Sequence, residues 1–193
     1  MNCAEYYDSV SYLWDGDDFP EEHFARHVAA TLSIPQGGGL VLDVGCGNGA
    51  MFTELGECGA CEIVGIDLSE KMTELAGKKA EYDPRITVYR EDFLHHMVPN
   101  YDVILAFNSY DHFPDPNEFL YRAHILLHRG GRLTVAFPSD CEKINIINQE
   151  LPEGITRRIG PPDREALLWD KFFHVDCICD NQWIYLISGT SRG

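Results

Sequence analysis

Apolar residues arrive in short continuous runs, separated by stretches where they recur every three or four positions, and the two patterns alternate along most of the chain. Residues 20–32 carry the helical spacing: Phe24, Val28 and Leu32 form a stripe, with Ala25 and Ala29 beside it and Pro20 suited to a first turn. Pro35-Gln36-Gly37-Gly38-Gly39 breaks the pattern as a flexible connection. Residues 40–44 are then a short apolar run that stops at glycines, 48–57 read as a helix, and 63–66 as a second buried strand. Ser69 is placed to cap a helix reaching about residue 79. Further strands are predicted at 86–89, 103–107 and 133–137; the second of these is apolar throughout, as in a strand covered on both faces. Asp115-Pro116-x-Glu118 has the cap, proline and acid of a helix start, and that helix should end at Arg129-Gly130-Gly131. Ser139-x-x-Glu142 has the spacing of a capping box. A connection rich in Pro and Gly covers 151–162, followed by a short helix over 163–169. The runs 174–179 and 183–187 flank Asp180-Asn181-Gln182 and predict an antiparallel hairpin.

Strands alternating with helices predict an α/β, doubly wound, mostly parallel sheet, seven-stranded once the C-terminal antiparallel hairpin is counted. A chain of 193 residues suits one domain spanning 1–193. Ligands of such sheets bind at the carboxyl ends of the strands, so the informative residues should follow the strands.

Composition narrows the partners. Acidic residues number 31 against 15 Lys and Arg, a net charge of -16, which repels phosphate backbones and anionic lipid. Neither a nucleic acid nor a membrane is expected as partner. No apolar run has the length of a membrane span, and residues 1–18 are acidic and rich in Tyr rather than signal-like, so the cytoplasm is the expected compartment. Seven cysteines, an odd number, are expected to be free and mostly buried thiols. Cys58-x-x-Cys61 has the spacing of half a zinc site, but Cys177-x-Cys179 does not supply the other half, and no metal is expected.

The chemistry concentrates in Val41-Leu42-Asp43-Val44-Gly45-Cys46-Gly47-Asn48-Gly49. Its glycines let a ligand approach the backbone, and the loop opens toward a helix N-terminus. Gly45-x-Gly47-x-x-Ala50 also fits the loose dinucleotide pattern. Asp43 argues against that reading, since a carboxylate there repels pyrophosphate but holds an ammonium. The long segment ahead of the strand argues the same way. Asp67, at the end of the second strand, stands where an acid accepts ribose hydroxyls; alternatively it is a helix N-terminal acid beside the Ser69 cap.

At this point the chain resembles the class I S-adenosylmethionine-dependent methyltransferases, and among them the small ubiquinone-biosynthesis-type members. Asp43 to Gly49 match their Asp-x-Gly-x-Gly-x-Gly hallmark, Asp67 their ribose acid, and Glu91-Asp92-Phe93 their adenine-binding acid and its apolar neighbour. Leu126 to Leu133 match the Leu-x-Pro-Gly-Gly-x-Leu segment, with His128-Arg129 departing from the usual Lys-Pro. The resemblance implies a Rossmann-like fold and S-adenosyl-L-methionine as cofactor. Gly45, Cys46, Gly47 and Gly49 would line its methionine part with Asp43 nearby. Asp67 would hold the ribose and Leu68 would also bind the cofactor; Asp92 would accept from the adenine amino group and Phe93 would contact the ring.

The loop Phe107 to Asp115 would face sulfonium and acceptor, with Asn108 touching cofactor and Asp111 and His112 as candidate bases; alternatively His112-Phe113 only shape the loop. His95-His96 read as surface residues. Tyr6 to Asp15 resemble the aromatic lead segment of these enzymes, so that 1–34 would form an N-terminal lid and helix, with Trp14 over the cofactor; the alternative is an aromatic segment packed on the core. The implied reaction is in-line methyl transfer to a small-molecule acceptor whose identity, like the oligomeric state, stays open. A nicotinamide-dependent oxidoreductase and a catalytically silent adenosylmethionine-binding module are the rival readings.

Overall fold

The computed structural model describes residues 1–15 and 20–192. The helices are α1 (Cys3–Val10), α2 (His23–Ser33), α3 (Phe52–Glu57), α4 (Glu70–Ala80), α5 (Pro116–Leu126), α6 (Cys141–Asn148) and α7 (Pro162–Trp169). The strands are β1 (Leu40–Val44), β2 (Glu62–Asp67), β3 (Ile86–Arg90), β4 (Tyr101–Phe107), β5 (Leu127–Phe137), β6 (Phe173–Asn181) and β7 (Ile184–Ser191). They form one seven-stranded sheet in the order β3-β2-β1-β4-β5-β7-β6. The pairs among β1 to β5 are parallel, and β7 lies antiparallel between β5 and β6. The order reverses between β1 and β4, which places a crevice at their carboxyl ends.

Alternate residues of the strands feed two cores. Leu42, Val44, Ile104, Leu133 and Val135 pack with Phe119, Leu120 and Trp169 on one face. Val41, Ile63, Val103, Leu105 and Ala136 pack with Ala25, Ala29, Phe52 and Leu55 on the other. The face that α2 buries differs from the expected stripe. Phe24 and Leu32 are exposed, and Ala25, Ala29, Ala30 and Ser33 are buried instead. Small side chains let the helix lie close to the strands, and Ser33 Oγ donates to Thr134 Oγ1 at 2.8 Å inside that contact.

Three further expectations shift. The stretch after Gly47 turns without helix until Phe52. Helix α5 stops at Leu126, and Arg129-Gly130-Gly131 lie within β5, opposite an irregularity in β4 between Tyr101 and Val103. Asp140, not Ser139, caps α6, accepting from Lys143 N at 2.8 Å, while Ser139 is buried. The Ser69 and Asp115 caps stand as expected. All seven cysteines are free, but Cys46 and Cys141 alone are buried; Cys61 is exposed and the rest are intermediate. No helix among the described residues is long and apolar enough to cross a membrane.

Candidate active site

The loop after β1 is suspended from β2. Gly45 N and Cys46 N both donate to the Ile66 carbonyl, at 2.9 and 3.0 Å. Gly45, Gly47 and Gly49 all sit at positive φ, where a side chain is strained. Their surroundings differ. A Cβ on Gly45 would lie 2.6 Å from Ser109 Cβ, and one on Gly49 2.5 Å from the Phe52 ring. A Cβ on Gly47 would meet nothing within 4 Å and would enter a cavity of about 160 Å³ that this residue lines.

Asp67 closes the loop. Its Oδ2 accepts from Gly47 N at 3.0 Å and its Oδ1 from Ser69 N at 2.8 Å. Burial raises its pKa, opposed by those two amides. Asp43 is buried, with neither carboxylate oxygen partnered. Burial, and then the Asp67 charge, push it up to about 7. Along the next wall Asp92 caps a short turn, taking Leu94 N on Oδ1 and His95 Nδ1 on Oδ2, both at 2.9 Å. His95 is exposed as expected, but His96 is 2% exposed, so its placement on the surface is corrected. It bridges Glu91 Oε2 and Tyr101 Oη, each at 2.9 Å, because Tyr101 at the start of β4 brings a buried hydroxyl to it.

The far wall joins three distant segments. Helix α1 is fixed by a reciprocal cap between Asn2 and Glu5. It docks on α4 through Asp8 Oδ1, which accepts from Ser69 Oγ at 2.6 Å and Lys71 N at 3.1 Å. The Ser69 hydroxyl holds the Asp8 carboxyl below its ordinary pKa. Asn48 Nδ2 donates to the Trp14 carbonyl at 3.0 Å, pinning the following turn. Tyr7 stacks edge-on to Trp14 and to His112, and its hydroxyl lies 3.0 Å from His112 Nε2. The other His112 nitrogen, Nδ1, lies 3.1 Å from the Ile155 carbonyl. Asp111 is buried, with Oδ2 on Asn148 Nδ2 at 2.7 Å and Oδ1 unpartnered, 4.0 Å from His112 Nε2. Arg157 ties the connection to this loop: its amide donates to Asp111 O, its Nε to Phe113 O, and its guanidinium pairs with Glu165.

The cavity thus runs along the carboxyl ends of β1, β2 and β4. It brings together Gly45, Cys46, Gly47, Asp67, Leu68, Asp92, Phe93, Asn108, His112 and Trp14 of the residues singled out in the sequence. Asp43, Gly49 and Asp111 stand behind its wall rather than in it. Cys3, Tyr7, Glu22 and Ser109 line it without having been singled out as site residues. Tyr7 belongs to the expected lid, while Tyr12 of the same segment is exposed; residues 16–19 of that lid lie outside the described residues.

The parallel part of the sheet thus gathers a glycine loop after β1, an acid ending β2 and a further acid after β3 around one cavity. The model of the methyltransferase domain matches residues 41–131. The 27-O-demethylrifamycin SV methyltransferase of Amycolatopsis mediterranei is 30% identical over 63% of this chain and 48% of its own length. The ubiquinone biosynthesis O-methyltransferase of Bordetella avium is 34% identical over 49% of this chain and 40% of its own. The chain therefore spans about half the length, or less, of these curated relatives. A chain from the complex of the Haloferax volcanii Trm112 methyltransferase activator with a methyltransferase shares the fold. Its TM-score is 0.82 at 18% identity, covering 100% of this chain and 98% of that one. Residues 41–131 thus match a methyltransferase domain, and the chain is similar to S-adenosylmethionine-dependent methyltransferases.

Proposed function

We propose that this protein transfers a methyl group from S-adenosylmethionine to a small-molecule acceptor. We place the reaction in the cytoplasm, in a single domain whose residues 1–34 serve as lid and helix. Gly47 carries the reading: its missing side chain leaves room on the cavity wall, and its amide is held by the acid at the end of β2. The residues fit the cofactor. Gly45, Cys46 and Gly47 would meet its methionine part, Asp67 and Leu68 its ribose, Asp92 and Phe93 its adenine. Asp43, with two unmet oxygens, offers charge to an ammonium; Gly49 shapes the loop through Phe52. Glu22, Asp67, Glu91 and Asp92 line the cavity, with no Lys or Arg among the described lining residues, a field that favours a cation.

When bound, S-adenosylmethionine supplies a methyl carbon already activated by sulfonium. The protein's part is orientation, which can supply about 7–11 kcal/mol. Trp14 and Tyr7 offer aromatic faces to a cation, each worth about 0.5–2 kcal/mol. Asn108, held at positive φ with its amide on the Ala136 carbonyl, fixes the turn that presents His112. His112 would be the group that ends with the acceptor's proton, with Asp111 behind it. The names of the two curated relatives, which concern rifamycin and ubiquinone, support a small organic acceptor, as does the net charge of -16. The test is calorimetry with S-adenosylhomocysteine and NAD⁺, followed by labelled-methyl transfer to a panel of thiols, amines, phenols and carboxylates. Binding of the first nucleoside and methylation of a panel member are expected. Binding of NAD⁺ alone would overturn the reading; cofactor binding with no transfer would reduce it to a binding module.

A further inference from the structure

The hydrogen-bond chain at the lid has a direction. Ile155 offers only a carbonyl oxygen, so His112 Nδ1 must carry the proton that meets it. In the neutral ring Nε2 is then a lone pair, and the Tyr7 hydroxyl, 3.0 Å away, must donate to it. The lone pairs of the Tyr7 oxygen are left for the cavity that Tyr7 lines. In the closed lid, the Nε2 lone pair is therefore occupied by Tyr7 rather than open to an acceptor.

We propose that Tyr7 is the catalytic residue that receives the acceptor's proton, relaying it to His112, so that closing the lid completes the base. The inference rests on the methyl-transfer reading. For an acceptor X–H, the X–H proton passes to the Tyr7 oxygen as the Tyr7 proton passes to His112 Nε2. The electron pair on X forms the bond to the methyl carbon, and the methyl–sulfur bond breaks with its pair staying on sulfur. The positive charge moves from sulfonium to imidazolium. There Nδ1–H keeps Ile155, and the buried, otherwise unpartnered Asp111 Oδ1 lies 4.0 Å from Nε2. Burial, and then Asp111, raise the Tyr7 phenol above its ordinary range, so no free tyrosinate forms and the two protons move together. The remaining charged or titratable groups around the pair are Cys3 and Tyr6 of α1 and Asp67 at the end of β2. Arg157, which holds the 155–157 stretch against Phe113 O and Glu165, fixes the tautomer from a distance.

The first measurement needs no ligand. Long-range ¹H–¹⁵N spectra of the full chain at about pH 8, where imidazole is neutral, are assigned with His112→Ala. They should show His112 protonated at Nδ1, and Tyr7→Phe should shift Nε2 while leaving Nδ1 in place. A proton on Nε2, or an Nε2 signal indifferent to Tyr7→Phe, would overturn the relay. The second uses a methylated phenol or amine from the panel. Tyr7→Phe and His112→Ala should each lower kcat by about 10²–10⁴-fold, the double variant no further, with S-adenosylhomocysteine affinity unchanged. Full kcat in Tyr7→Phe beside a loss in His112→Ala would mean direct abstraction, and full kcat in both would mean that no base acts; either refutes the proposal. Wild-type protein that fails to bind S-adenosylhomocysteine would refute the methyl-transfer reading instead, leaving the tautomer result standing.

Discussion

At one end of the cavity the wall is backbone: Gly45, Cys46 and Gly47 hang from the Ile66 carbonyl and the Asp67 carboxylate. At the other it is side chains, Tyr7 meeting His112 across 105 residues and His112 meeting Ile155 across 43. The backbone-built end depends on residues that have no side chain, and on a carboxylate whose oxygens already accept amide protons. It tolerates little change. The side-chain end is assembled from a helix, a strand-end loop and a long connection, each free to vary as long as the three still meet.

The contrast breaks most sharply within the glycine loop itself. Gly45→Ala must accept a positive φ, costing about 1–2 kcal/mol, and a clash with Ser109 costing about 1–3 more, for a total of about 2–5 kcal/mol in urea unfolding. Gly47→Ala should lose only about 1–2 kcal/mol, yet lose cofactor affinity, since its methyl enters the cavity. Equal stability losses would mean that the two glycines do the same work.

At the other end, Arg157→Ala should destabilise by about 3 kcal/mol, the low end for a broken buried pair, because Glu165 keeps Tyr110 Oη and Gly160 N. Thermal unfolding should register the loss, while calorimetry finds cofactor affinity unchanged. A matching fall in affinity would show that the two ends are not separable.

Asp43 gives the pH-dependent case. Its folded pKa is raised, so its contribution to stability is full below the ordinary carboxylate range and is lost as pH rises through about 7. Asp43→Asn should therefore gain on the wild type as pH rises across that window, reaching about 4 kcal/mol for a rise of about three pKa units, and should bind cofactor more weakly. A stability gap independent of pH would mean that the carboxyl titrates alike in the folded and unfolded chain and that its pKa is not raised.

Legibility in the sequence follows the same division. The β1 run, its glycines, Asp67 and the Ser69 cap stand within a short stretch of chain, and local geometry fixes their relation. The helical stripe of α2 was misleading because Phe24 and Leu32 have the right period but the sheet admits only the small face, Ala25, Ala29 and Ala30. Asp140 replaced Ser139 as cap because both precede α6 by spacing, and only the fold shows which one stays at its end. His96 looked like a surface residue until Tyr101 reached it. Tyr7 was visible as an aromatic of the lid, but its partner lies too far along the chain for any pattern to name. The capping pair Asn2 and Glu5 was the available signal that this segment begins with a helix.

The central claim is that one cavity holds the cofactor at its backbone end and the acceptor at its side-chain end. Titration calorimetry of S-adenosylhomocysteine against Asp67→Ala and His112→Ala, both confirmed as folded by near-UV circular dichroism, tests it most directly. Asp67→Ala should weaken binding by about 10²-fold or more, since charge-assisted hydrogen bonds are each worth about 1.5–3 kcal/mol, and His112→Ala should bind as the wild type does. Undiminished binding by Asp67→Ala, or an equal loss in His112→Ala, would contradict the account.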